Sequence, residues 1–244
     1  VTERLRDGAR QTLDRLRPLK LAAAVGHNGR PGTADAVRLE LFAGGTGGTR
    51  VLDSGIVPLW VLAYPYPSVP ADHPSFLTGR YTPEQVSQIN PVRPILLAQS
   101  VLADTARWTF HLASDHPDGR AVCEFLDLAQ ARKLAWNFQF GSGLEYLDTA
   151  ARTALPVGER VRAGPGRRAY NLDYRVVEHG QALATFGDLW LRARHLPFLF
   201  VPYPNRASDL QIESLWCRDD SGDAELAVTG FRRDSTRARF VEAL

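Results

Sequence analysis

The stretch Ala106–Leu128, ARWTFHLASDHPDGRAVCEFLDL, decides the fold. Trp108, Phe110 and Leu112 alternate with Thr109 and His111. A period of two places the first set on one face of a strand and the second on the other. Ser114-Asp115-His116-Pro117-Asp118-Gly119 follows directly. This segment concentrates side chains that bind metals or move protons, but it is also a full set of turn formers. Asp bonds back to local backbone, Pro fixes φ and Gly accepts positive φ. A metal site needs further ligands converging at about 2.0–2.2 Å, and no second cluster of recognised spacing stands nearby. The stretch therefore reads as strand, turn, strand.

The same alternation recurs along the chain. ADAVRLELFA sets Val37, Leu39 and Leu41 against Arg38 and Glu40. LAWNFQFG repeats it with Trp136, Phe138 and Phe140, and AYNLDYRVV with Tyr170, Leu172, Tyr174 and Val176. Many such segments indicate antiparallel sheet with one buried face. FAGGTGGTRV resembles a phosphate loop only in its glycines. It lacks the Lys-Ser/Thr pair and the dinucleotide spacing, so it reads as a connection between strands ending near Phe42 and starting near Arg50. GERVRAGPGRRAY carries Arg160, Arg162, Arg167 and Arg168. With no nucleic-acid-binding module around it, it reads as a solvated or subunit-facing hairpin whose charges discourage stray strand pairing.

Three other segments break the strand pattern. In residues 1–17, Leu5, Ala9, Leu13 and Leu16 form one helical stripe that Pro18 ends. This predicts an amphipathic arm over 1–18 that clasps a neighbour through Leu5 and Leu13, since a short helix is marginal alone. Residues 57–94 are rich in proline and aromatics and predict a long ordered loop. Its Trp60, Tyr64, Tyr66, Phe76 and Tyr81 are residue types suited to a subunit contact and equally to a lid over the loop's own domain. GQALATFGDLWLRARH predicts a helix over about 180–195, with Leu183, Phe186 and Trp190 on one side and Pro197 after it. A composition shift near Ala129 divides the chain into 19–129 and 130–244.

Composition narrows the function classes. The 244 residues are 44% hydrophobic and 23% charged, with a formal net charge of +2, a soluble globular composition. No apolar run is long enough to span a bilayer, and VTERLRDGARQTLDRLRPLK has no apolar signal core. The near-neutral charge gives no footprint for nucleic acid. Cys123 and Cys217 sit in apolar settings and read as buried thiols. There is no G-x-S-x-G and no H-E-x-x-H. The histidines at 27, 73, 111, 116, 179 and 195 and the acids Asp72, Glu124 and Asp127 are dispersed. No catalytic residue, metal or cofactor is expected.

The order of the pieces carries a resemblance. RVLDSGIVPLW, with its D-S-G-x-x-P-x-W turn, precedes the H-P-x-x-x-x-G-R loop in HPSFLTGRYTPEQ, and ARWTFHLASDHPDGRAVCEFLDL comes after both. GRRAYNLDYRVV, ATFGDLWLRARHLPFLFVPYPN and STRARFVEAL close the chain. This series resembles structural proteins of long-tailed bacteriophages, the distal-tail or tail-tip proteins associated with the baseplate. The resemblance implies a mainly β chain: a discoidin-like (galactose-binding-like) β-sandwich at 19–129, then a β domain with one packed helix at 130–244. It also implies a virion tail protein, made in the host cytoplasm, that forms a ring around the tail axis. Its partners would be copies of itself and other tail-tip, tube or baseplate proteins. The other expectation is a carbohydrate-binding module for host attachment, with Trp60, Tyr64 and Tyr66 stacking on sugar rings.

Overall fold

The computed structural model describes residues 3–5, 9–60, 82, 86, 91–131, 142–147, 151–155, 158–162, 167–187, 196–205, 214–221, 227–230 and 233–243. Two compact units emerge: Val1–Ala131 with Val201–Ser214, and Arg132–Phe200 with Leu215–Leu244. The chain is mainly β, and its sheets are antiparallel throughout the described residues.

In the first unit the strands are β1 (Glu3–Leu5), β2 (Ala9–Val25), β3 (Ala36–Ala43), β4 (Thr49–Pro58), β5 (Val92–His111), β6 (Ala121–Cys123) and β7 (Phe125–Ala129). Five form one sheet in the order β4-β3-β5-β2-β7, and β1 with β6 makes a two-stranded ribbon. Alternation does what its period dictates. Val37, Leu39 and Leu41 are buried, as are Trp108 and Phe110, while Arg107 and His111 face solvent. The buried set joins Leu19, Ala22, Ala24, Ile95, Leu97, Ala106 and Cys123 in one core. Each large aliphatic side chain so buried contributes about 1.5–3 kcal/mol.

The opposite face of β3 carries a charged network. The Glu40 carboxylate accepts from Arg50 (2.9 Å) and Arg107 (2.7 Å), and Arg38 pairs with Asp53. The Arg107 guanidinium lies over the Phe42 ring, 5.4 Å from its centroid. Burial pushes the Glu40 carboxyl up, but the arginines outweigh it and hold the group below its ordinary value. The glycine-rich connection is a short 3-10 turn, Gly45–Gly47, between β3 and β4. Its anion-binding amides are already occupied. Gly44 and Gly45 donate to the Asp104 carboxylate at 3.0 Å, so the phosphate-loop resemblance ends in an internal carboxylate.

The expected helical arm is not found. Residues Ala9–Val25 are strand β2, with Ala9 opposite Trp108, Pro18 opposite Leu102 and Val25 opposite Val92. Leu5 lies in β1, opposite Ala121. The reason is arithmetic. Leu5, Ala9 and Leu13 are spaced by four, which suits a helix and equally a strand, since four is a multiple of two. From Ala9 to Asp14 alternate residues are indeed shielded and exposed. Leu16, the residue that made the pattern helical, is 51% exposed. It ends a bulge in which Leu13–Leu16 stand opposite the single residue Asp104. Ladder pairing along β5 overrides a marginal local preference. Pro18 does not end an element, and Pro94, expected in a loop, pairs opposite Ala23.

In the second unit β8 (Gly143–Leu147), β11 (Arg167–Glu178), β12 (Phe198–Phe200), β13 (Leu215–Asp219) and β15 (Arg233–Glu242) lie in the order β12-β13-β15-β11-β8, with β14 (Ala227–Gly230) also on β15. β9 (Ala151–Leu155) and β10 (Gly158–Arg162) form a separate hairpin. Tyr170, Leu172 and Tyr174 face the core, as their spacing requires. They meet Phe186, Leu215, Cys217, Ala238 and Phe240. The rings interlock edge to face: Tyr174–Phe186 and Phe198–Phe240 at 5.0 Å, Tyr170–Phe200 at 5.4 Å.

The described part of the helix is α1 (His179–Ala182), continued by a π turn over Leu183–Gly187. Residues 188–195, with Trp190, lie outside the described residues, as do Trp136, Phe138 and Phe140. Arg168, expected on a solvated hairpin, is instead fully buried against Glu242. Ala169 is opposite Val241, which carries the two chain-remote charges to one spot.

Candidate functional site

The polar turn of the first unit and the loop after β2 build one corner. Gly26 begins the loop at φ 64, a backbone conformation that favours glycine; the exposed Glu124 side chain lies over it. Asn28 then replaces a missing stretch of ladder. Its Nδ2 donates to Asp118 Oδ2 (2.7 Å) and to the Arg120 carbonyl (3.0 Å), and its Oδ1 accepts from Val122 N–H (2.8 Å). Asp35 closes the loop. Its carboxylate accepts from Arg30 N–H and Ala113 N–H, both at 2.8 Å. Burial pushes this carboxyl up, but the Ala113 and Arg30 amides hold it below the ordinary range.

The turn side chains are consumed in the same corner. His116 Nδ1 accepts from Asp118 N–H (3.3 Å), which leaves Nε2 to donate to the Asn28 carbonyl (3.0 Å). Asp115 pairs with Arg30 at 2.7 Å, and Asp118 holds Asn28. Among the described residues, no three His, Cys, Asp or Glu side chains gather as metal ligands. The arrangement can brace two loops. Glu124 and Asp127 do not form a pair either: Glu124 is exposed, while burial pushes the Asp127 carboxyl up within β7.

The expected interface residues fall in three groups. Trp60 is 8% exposed; its indole N–H donates to the Gly29 carbonyl (2.6 Å) and its ring meets His27 edge-on at 5.8 Å. Leu13 packs on the core of its own unit. Tyr64, Tyr66, Phe76 and Tyr81 lie outside the described residues, as does the side chain of Leu5. The structure adds exposed apolar residues, of which sequence had singled out only Leu16, and that as part of a helix. Leu16, Val51, Ile56, Leu102 and Phe125 are large apolar side chains left exposed on β2, β4, β5 and β7. Leu16 and Leu102 sit on paired strands beside the bulge. Asn28 and Asp35 were not singled out, because Val122 lies 94 residues from the first and Ala113 lies 78 from the second.

Cys123 and Cys217 are both buried and not disulfide-bonded. Burial pushes the Cys217 thiol well up, which removes thiolate reactivity from the folded state. Among the described residues no helix is long and apolar enough to cross a membrane. Comparison with known proteins found no matching family, no similar curated protein and no similar solved structure.

Proposed function

We propose that the chain is a structural component of a phage tail tip, assembling by protein–protein contacts between the tail tube and the baseplate or receptor-binding parts. The observation that carries this reading is the apolar surface on the first unit's strands. Ile56 is 66% exposed, Leu102 60% and Leu16 51%. β4, which holds Val51 and Ile56, pairs on one side with β3 and, among the described residues, with no strand on the other. An unpaired ladder edge with apolar side chains favours association. The order of turns and strands that resembles tail-tip proteins gives the association its context. The internal use of the corner's His and Asp side chains is what a scaffold needs.

A ring built from copies of one chain buries heterologous surfaces, and such permanent contacts commonly exceed about 2,000 Å². Light scattering with native mass spectrometry of the full chain is expected to show closed homo-oligomers. Ile56→Lys is expected to shift them toward monomer. A monodisperse monomer at every concentration overturns the proposal. The carbohydrate-binding reading gains no support from Trp60, whose ring is packed inside the corner.

A further inference from the structure

Two side chains at the end of the β2–β5 ladder are buried without acceptors. His27 is 3% exposed and Arg93 8%. Neither imidazole nitrogen of His27 has a hydrogen-bond partner, and neither do Nε and Nη1 of Arg93. Other buried charges of this unit are matched: Glu40 by Arg50 and Arg107, Asp35 by the Arg30 and Ala113 amides. The ladder places Arg93 near the turn that carries His27. Ala24 is opposite Arg93, Val25 is opposite Val92, and Gly26 N–H donates to the Pro91 carbonyl at 2.8 Å. His27 therefore leaves the turn beside the strand end that carries Arg93, and the Arg93 charge acts on it.

Among the described residues no acceptor is bonded to these nitrogens. The Trp60 edge walls the imidazole, and its N–H is spent on Gly29. Leu59 packs on the Gly29 side of the imidazole: a Cβ at Gly29 would meet Leu59 Cδ1 at 2.6 Å and His27 Nδ1 at 3.3 Å. Asp35 is the acid whose charge acts on His27, and its two oxygens already hold amides. Arg93 and His27 thus each present buried nitrogens without partners near one end of the ladder; N–H donors of this kind suit a planar oxyanion, and a buried unpaired cation is costly until one arrives.

We propose that His27 and Arg93 form a binding site for one carboxylate. A free small acid and an acidic side chain of a second copy present the same chemistry, and one experiment separates them. In the full chain with ¹⁵N-labelled histidine, imidazole protonation is followed against pH, with His27 assigned by H27Q. The probe is sodium acetate, balanced with chloride at constant ionic strength. A bound carboxylate is expected to raise the His27 midpoint from about 3 by at least about one unit. A rise that needs added acetate identifies a free acid. A rise that grows with protein concentration and needs no acetate identifies a second copy. R93M is expected to abolish the response and R93K to weaken it. A wild-type midpoint that responds to neither acetate nor protein concentration overturns the proposal, as does an equal response in R93M. The wild-type titration decides the matter if R93M fails to fold. The free-acid outcome is independent of tail assembly, so failure of one proposal does not imply failure of the other.

Discussion

Replacing Glu242 by Gln should loosen the second unit and leave the first unchanged. Glu242 and Arg168 are each fully buried. The carboxylate accepts from the Arg168 backbone N–H (3.1 Å), from Nε (3.2 Å) and from Nη2. Gln keeps the shape but removes the Glu242 charge that faces the buried guanidinium. Breaking one side of such a pair costs about 3–5 kcal/mol, whereas replacing both sides with apolar residues is near neutral. The protein carries its own reporters, one buried thiol in each unit: Cys123 in β6 and Cys217 in β13. Alkylation under native conditions, resolved by peptide mass spectrometry, measures how often each unit opens. At about 1.4 kcal/mol per tenfold, E242Q should speed Cys217 labelling between about a hundredfold and a few thousandfold. Cys123 labelling should stay as in the wild type. The double variant R168M/E242L should return Cys217 labelling to within about tenfold of wild type. A rise below about tenfold in E242Q would refute the reasoning, because it would mean that removing the Glu242 charge costs far less than breaking one side of a buried pair should.

Three further outcomes test the first unit. Burial and the Arg93 charge hold His27 down to about 3, against an ordinary 6.5. The unfolded chain therefore takes up this proton first as pH falls. The contribution to stability is complete above about pH 6.5 and is lost toward pH 3, with a slope approaching about 1.4 kcal/mol per pH unit. Urea midpoints measured against pH should show that slope in the wild type, and less of it in H27Q. Asn28→Ala leaves the Val122 N–H without its side-chain acceptor and should lower first-unit stability by about 1–3 kcal/mol in urea unfolding. Gly29→Ala drives a Cβ to 2.6 Å from Leu59 Cδ1 and should cost about 1–3 kcal/mol by the same measurement.

How much of this was legible in the sequence varied from element to element. The faces of β3, of the end of β5 and of β11 followed from alternation, because a strand's side-chain period is fixed by its backbone. Asp, Pro and Gly in the Ser114–Gly119 segment declared a turn, because each residue type acts on its own backbone. Residues 3–5 and 9–17 are strand where a helix is expected, because a spacing of four satisfies both periods. Only pairing with β5, about ninety residues away in the chain, chooses between them.

Sequence by itself determined the β class, the faces of the alternating strands and the Ser114–Gly119 turn, since these depend on neighbours within a few residues. Tertiary structure decided where the charges went. Arg168 meets Glu242, the glycine loop closes on Asp104, and Asn28 holds the turn, each across dozens of residues. It also left His27 and Arg93 buried without an acceptor. Long-range register, which no local pattern encodes, fixes which polar groups are matched and which are left to bind something else.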